Sequence, residues 1–315
     1  MKKVLAITLL ILIYIGPIGC SKNTVPFSPS VSNPTMKIPT YQAQWSGTKT
    51  TSFSNPTGVA VDKNGNVYVV DSDLNTVFKF NSAGQPLTQW GQSGNGPGQF
   101  DQPFDIALGN DGNVYVADTG NGRVQVMDTN GVFIKQIKSP GTQNTVSRPQ
   151  GLAFDPNGVL YVSDISNTIW EFSGTNISEY GQSGSTTDQF IYPIGMSTDN
   201  NNLYVADHQS NKIVKFNYHS NSIVSWGTTG TGSGQFRNPS DVKLDHNGNL
   251  YVVDSSNSRV EILDGNGTYL TEFGNSGNAD QILSFPSSIA IGNNGTVYVT
   301  DSGNGRVIEY ALYTE

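Results

Sequence analysis

The sequence predicts an all-β fold, a six-bladed β-propeller of four-stranded blades whose last blade is closed by a strand from the N-terminal end. Three observations carry this. A Tyr-Val-x-Asp tetrad occurs six times, at Tyr68–Asp71, Tyr115–Asp118, Tyr161–Asp164, Tyr204–Asp207, Tyr251–Asp254 and Tyr298–Asp301. Its tyrosines stand 47, 46, 43, 47 and 47 residues apart, a period that signals units packing on one another around a shared core. The chain also holds 35 glycines and 15 prolines in 315 residues, the turn content of many short strands.

One unit shows how each strand arises. Pro56-Thr57-Gly58-Val59-Ala60-Val61-Asp62 is a strand entered through a proline, which is tolerated at a strand start. Lys63-Asn64-Gly65 is a hairpin turn in which Asn-Gly accepts positive φ. Asn66 to Asp71 is nearly continuous in apolar residues, as expected of a strand buried on both faces. After a loop, Thr76 to Phe80 forms a third strand, and a fourth runs to Trp90-Gly91 with polar and apolar residues alternating, so it is half-solvated. The aromatic ending the fourth strand recurs as Trp90, Tyr180, Trp226 and Phe273, with Ile137 taking the role in one unit. The sixth unit stops after its third strand, Arg306 to Tyr310, whereas Tyr41-Gln42-Ala43-Gln44-Trp45 reads as the close of a fourth strand with no first three. We expect the two to combine, so that both termini lock the ring and no long edge is left open.

This pattern resembles the NHL-repeat family of six-bladed propellers over residues 41–315. The second unit carries the motif as Pro103, Asn110-Asp111-Gly112-Asn113, Tyr115 to Asp118, Asn121 and Arg123-Val124. The resemblance implies the fold and does not name an activity, because such scaffolds serve unrelated functions.

The N-terminus has its own logic. Met1-Lys2-Lys3 precedes an apolar run from Val4 to Ile18, too short to span a bilayer as a helix and right for a secretory signal peptide, residues 1–20. Gly19-Cys20 resembles the end of a bacterial lipobox, with Pro17 where leucine is usual, and Cys20 is the chain's single cysteine. We expect Cys20 to be lipidated, residues 21–40 to be a flexible tether, and residues 41–315 to be the propeller, held outside the cytoplasm and on the outer membrane where the cell has one. The anchor is then the chain's contact with membrane. A monomer is expected.

The formal charge of −8 falls by two more when the leader takes Lys2 and Lys3 with it, which argues against a nucleic-acid partner. All five arginines, Arg123, Arg148, Arg237, Arg259 and Arg306, fall in loops before the first strand or between the second and third, which share one face of a propeller. Arg123, Arg259 and Arg306, like Lys212, stand five residues after the motif aspartate and are expected to bridge blades, while the motif aspartates bond turn amides. Arg148 and Arg237 fall outside that register and are the candidates for contacting a ligand.

Residues following the strand-leading prolines are expected at the channel mouth, among them Gln150, Asp105 and Asp241. The two aspartates lie three blades apart, facing each other across the axis. Opposed carboxylates can hold Ca²⁺ through oxygen ligands, but with so few other anionic groups the simpler reading is that each bonds solvent or a neighbouring amide. No other cofactor is indicated. Relatives of the family include zinc-dependent amidating lyases and calcium-dependent lactonases. Here His208 lies on the arginine face, and His219 and His246 lie in turns on the opposite face, so they cannot converge on one zinc. Two functions remain: a cell-envelope platform for a protein, peptide or glycan, with Arg148, Arg237, Gln150, Asp105 and Asp241 at the ligand, or a calcium-dependent lactonase or other hydrolase at the channel. The platform, which needs no converging ligand set, is the preferred reading; whether the chain is an enzyme stays open, with the balance toward a role without catalysis.

Overall fold

The computed structural model describes residues 38–138, 147–181 and 190–311; the expected signal peptide, Cys20 and most of the expected tether lie outside them. Six four-stranded antiparallel sheets form the blades. Their innermost strands are Pro56–Val61, Pro103–Leu108, Pro149–Phe154, Pro193–Thr198, Pro239–Leu244 and Pro286–Ile291, which define blades 1 to 6. Each opens on the proline and shifts register near its third residue, so the proline sits opposite the motif aspartate, as Pro56 does opposite Asp71. The second strands, such as Val67–Asp71 and Leu250–Asp254, are buried along their whole length, and the fourth strands run from largely exposed to half-buried.

The expected closure is present. Thr40–Trp45 pairs antiparallel with Arg306–Ala311, from Thr40 opposite Ala311 to Trp45 opposite Val307. Trp45 then packs between blades 6 and 1, its ring 5.5 Å from those of both Phe80 and Tyr298. Cores of this kind lie at every blade junction, as where Val59, Val69, Phe78 and Phe80 meet Ala290, Tyr298 and Val307. The turn after the third strand completes the pocket for the aromatic. A Cβ at Gly84 would lie 2.5 Å from Cε2 of Trp45, and one at Gly131 2.5 Å from Cδ2 of Trp90. Glycine is required there for space as well as for its positive φ.

The motif residues hold the turns. Asp71 accepts from the amides of Ser54, Asn55 and Leu74, at both ends of the loops it joins. The tyrosine hydroxyl reaches the other end of the blade, where Tyr115 donates to Asp111 (3.0 Å) and Tyr204 to Asp199 (2.9 Å). Those turn aspartates also receive backbone amides, as Asp62 does from Asn64 and Asn66, closing the hairpin between the first two strands.

Candidate functional site

Two faces result. The loop face carries the connections between blades and between second and third strands; the turn face carries the hairpins. On the loop face, the arginines divide as expected. Arg123 donates through Nε to Asp118 (2.7 Å), through Nη1 to Gln136, and through Nη2 to the carbonyls of Gly96 and Gln99 in the connection arriving from blade 1. Arg259 repeats this with Asp254, Glu272 and the carbonyls of Gly232 and Gln235. Arg306 bonds Asp301, Ile282 O and the closing strand's Gln44. These three guanidiniums are buried and used by the fold. Lys212, expected to bridge blades from the same register, is instead exposed.

Arg148 and Arg237 are exposed, and among the described residues neither guanidinium has a hydrogen bond or ion pair. Their backbone amides are fixed, Arg148 N to Asp164 and Arg237 N to Asp254 (2.7 Å), so the side chains project from rigid positions. Between them sits Tyr192, whose hydroxyl is raised in pKa by burial and lowered in part by the Arg148 charge. Its ring lies 5.8 Å from that of His208. His208 faces the carbonyl of Pro239 through Nδ1 at 3.3 Å; a carbonyl can only accept, so Nδ1 carries the proton there. Burial holds this imidazole below its ordinary pKa. His208 thus stitches blade 4 to blade 5, as Thr119 does blade 2 to blade 3 through Pro149 O (2.6 Å).

Gln150, Asp105 and Asp241 are not at the rim. They are 4%, 7% and 2% exposed, within the channel wall. The bulge at the proline turns these side chains toward the neighbouring blade instead of outward. Asp105 accepts from Leu152 N of blade 3 (2.8 Å), and Asp241 accepts from Ser288 Oγ (2.9 Å) and Ile289 N (3.0 Å) of blade 6. Each thus bonds an amide of the following blade, the simpler of the two readings above. The rim is formed one step earlier, by the residues preceding the prolines: Asn55, Gln102, Arg148, Tyr192, Asn238 and Phe285. Phe285 is the residue that sequence reasoning missed on this face. It is 62% exposed at φ +45°, an uncommon conformation for an aromatic residue.

Sequence reasoning also missed Lys243. Its Nζ donates to Asp241 Oδ1 (2.7 Å) and to Met196 O (2.9 Å). The signal was available: the matching residue is Ala60, Ala107, Ala153, Ser197 or Ala290 in the other blades. Burial pushes the Asp105 carboxyl up to about 7, against the pull of the Lys243 charge, with Asp241 pushing the same way as burial. Below this level the channel opens on the turn face as a cavity of about 300 Å³, lined by apolar side chains such as Leu108, Phe154, Met196 and Ile291, with Lys243 at its wall. Among the described residues, no three His, Cys, Asp or Glu side chains are grouped to hold a metal ion.

The family model for the NHL repeat matches residues 53–80, 100–127, 236–263 and 283–310, which lie in blades 1, 2, 5 and 6. The chain is therefore a six-bladed β-propeller that carries NHL repeats in four of its blades. Solved structures share this architecture. A catalytically inactive virginiamycin B lyase from Staphylococcus aureus, solved with quinupristin, is 20% identical, with a TM-score of 0.60 over 87% of this chain and 89% of that one. A gluconolactonase from Xanthomonas campestris is 12% identical, with a TM-score of 0.66 over 88% and 95%. A luciferin-regenerating enzyme is 16% identical, with a TM-score of 0.63 over 82% and 92%. At these identities the likeness is one of fold.

Proposed function

We propose that the protein is a binding platform of the cell envelope, anchored by a lipid on Cys20, whose loop face captures a protein, peptide or glycan. The observation that supports this most is the division among the arginines: the fold uses three, while Arg148 and Arg237 stand on rigid backbone with free guanidiniums. A planar fork of donors beside Tyr192, Phe285 and the amide side chains Asn55, Gln102 and Asn238 suits carboxylates and hydroxyl-rich surfaces. Gln150, Asp105 and Asp241 serve this reading from beneath, by holding the strands that carry the rim.

The alternative, a calcium-dependent lactonase or other hydrolase at the channel, needs several oxygen ligands around one ion. It draws less support, because the oxygens of Asp241 are taken by Lys243, Ser288 and two backbone amides. Metal content of the dialysed protein separates the two readings.

The test is capture from an envelope extract by the immobilised body, residues 36–315. Arg148→Ala and Arg237→Ala are each expected to weaken capture by about 1–2 kcal/mol, and Lys63→Ala and His246→Ala on the turn face to leave it unchanged. The reverse outcome would place the ligand on the turn face. Cys20→Ala is expected to move the full chain out of the membrane fraction.

A further inference from the structure

Blades 2 and 5 align without a gap at a constant offset of 136 residues. The loop Gly94-Asn95-Gly96-Pro97-Gly98-Gln99-Phe100 enters blade 2, and Gly230-Thr231-Gly232-Ser233-Gly234-Gln235-Phe236 enters blade 5. They fold alike: Gly96 N and Gly232 N donate to Gln99 Oε1 and Gln235 Oε1, and Asn121 and Asn257 donate to Gly94 O and Gly230 O. Arg123 and Arg259 grip the two loops through the same carbonyls.

Beneath these loops two of the differences exchange an amide for a carboxyl: Gln125 becomes Glu261 and Gln136 becomes Glu272. Gln125 is fully buried and spends both ends of its amide. Its Oε1 accepts from Gly98 N (3.0 Å), and its Nε2 donates to Gln99 O (2.6 Å) and Asp118 Oδ2 (3.0 Å). Glu261 is equally buried, and its Oε2 accepts from Gly234 N (2.9 Å) as the glutamine oxygen does. Its Oε1 therefore takes the place of the amide nitrogen. The groups that match that nitrogen's partners, Gln235 O and Asp254 Oδ2, are both acceptors. A carboxylate has nothing to donate to them; a carboxylic acid has one O–H.

The carboxylates around Glu261 point the same way, against the pull of the Arg259 charge. Arg259 faces it from its own strand, Asp254 from the second strand, and Glu272 and Tyr269 from the fourth; its Oε1 pairs with Arg259 Nη2. One guanidinium thus serves three carboxylates, two of them fully buried, where Arg123 serves one. Asp254 is itself raised by burial, but it accepts from Arg237 N, Asn257 and Arg259, so Glu261, with fewer donors, is the better place for a proton.

We propose that Glu261 is held as the neutral acid, its O–H serving the acceptors that the Gln125 amide serves in blade 2, and that loss of this proton releases the Gly230–Phe236 loop. The release follows from sharing. Arg259 Nη2 holds the loop carbonyls of Gly232 and Gln235, and an ionised Glu261 competes for that same group. Burial, opposed by the Gly234 amide and the Arg259 charge, pushes the carboxyl up to about 7, so the loop is secured below neutrality and loosens above it. Arg237 follows directly on this loop. If the platform reading holds, capture by Arg237 falls as the pH rises; the latch itself does not depend on that reading.

The experiment is amide hydrogen exchange of the 315-residue chain from about pH 6 to about pH 8.5, corrected for the intrinsic base-catalysed rate. Protection at Gly234 and Gln235 is expected to fall by about tenfold, while Gly98 and Gln99 keep theirs. Glu261→Gln is expected to hold the blade 5 loop flat across the range, and Gln125→Glu to transfer the pH dependence to blade 2. Asp105 titrates in the same range but lies in the channel wall, so it does not distinguish one loop from the other. Parallel pH profiles for the two loops, or a Glu261→Gln loop that still opens, would overturn the proposal. Should Gln125→Glu not fold, a carbon-13 carboxyl titration decides: Glu261 titrating at an ordinary glutamate value sinks the latch, and one near 7 supports it. Partner capture is measured separately, and its failure would leave the exchange result standing.

Discussion

The Nζ of Lys243 lies 2.7 Å from Oδ1 of Asp241, and blade 2 has half of this pair: Asp105 matches Asp241, but Ala107 stands where Lys243 does. Two similar carboxylates in one channel wall therefore meet opposite electrostatics. Asp241 has a cation in contact and a full set of donors. Asp105 has two backbone amides and a more distant charge.

Lys243→Met should therefore destabilise the fold at neutral pH by about 3 kcal/mol, since it leaves a buried carboxylate without its cation. Equilibrium urea unfolding measures this. The double variant Asp241→Asn/Lys243→Met is expected to recover most of the loss, because no uncompensated charge remains. Additive losses would show that Lys243 contributes by packing instead.

Asp105→Asn should act in the opposite direction. The folded carboxyl is pushed up to about 7, above the ordinary value of 3.8, so the folded state binds a proton that the unfolded chain gives up between those values. Stability contributed by that proton is present at low pH and lost as the pH rises toward 7. The asparagine keeps an acceptor for Leu152 N and has no charge to bury. It is expected to raise the melting temperature at about pH 8 and to flatten its fall from about pH 5. An unchanged slope would show that Asp105 is ionised throughout.

How much of this was legible depended on whether a residue was part of the repeat. The strands, the Asn-Gly turns and the roles of Asp118 and Arg123 recur at fixed spacing, so each unit checked the others. Closure by Tyr41–Trp45 was legible because a repeat with one strand too few and a fragment with one strand to spare fit only together. The depth of Asp105 and Asp241 was not, because the bulge after each proline re-aims the third side chain of the strand and strand alternation does not foresee it. Lys243 and Glu261 were visible as departures at aligned positions. Their meaning needed the partners, Asp241 in one case and two acceptors in the other, which spacing does not supply. Phe285 shares its positive φ with the matching Gln102 and Asn238, a backbone feature of the repeat that the residue types at this position do not spell out.

The two classes of arginine should separate in stability. Arg123 is buried with an aspartate and two loop carbonyls, so Arg123→Ala leaves several buried acceptors unpaired and is expected to cost about 3 kcal/mol or more. Arg148→Ala removes an exposed side chain and is expected to change stability by less than about 0.5 kcal/mol. Thermal unfolding of both variants checks this. Comparable losses would mean that the Arg148 guanidinium is engaged by the fold and is not free for a ligand.

Ring closure offers the sharpest mechanical test. Deleting Tyr41 to Trp45 removes a strand that pairs with Val307 to Tyr310 and opens the ladder of blade 6 to solvent. It also withdraws Trp45 from the junction of blades 6 and 1, where it stacks on Phe80 and fills the space above Gly84. Trp45→Ala alone is expected to cost about 3–5 kcal/mol, the usual range for truncating a buried large aromatic. The strand deletion should cost more, because it leaves backbone groups of Arg306–Ala311 unpaired as well as a cavity. Removing Ser21 to Lys37 takes away residues before the paired strand and is expected to leave the melting temperature of the body unchanged. A melting temperature equally low in both truncations would mean that the segment before Thr40 contributes to the ring. One equally high would mean that five blades and an open sixth are enough.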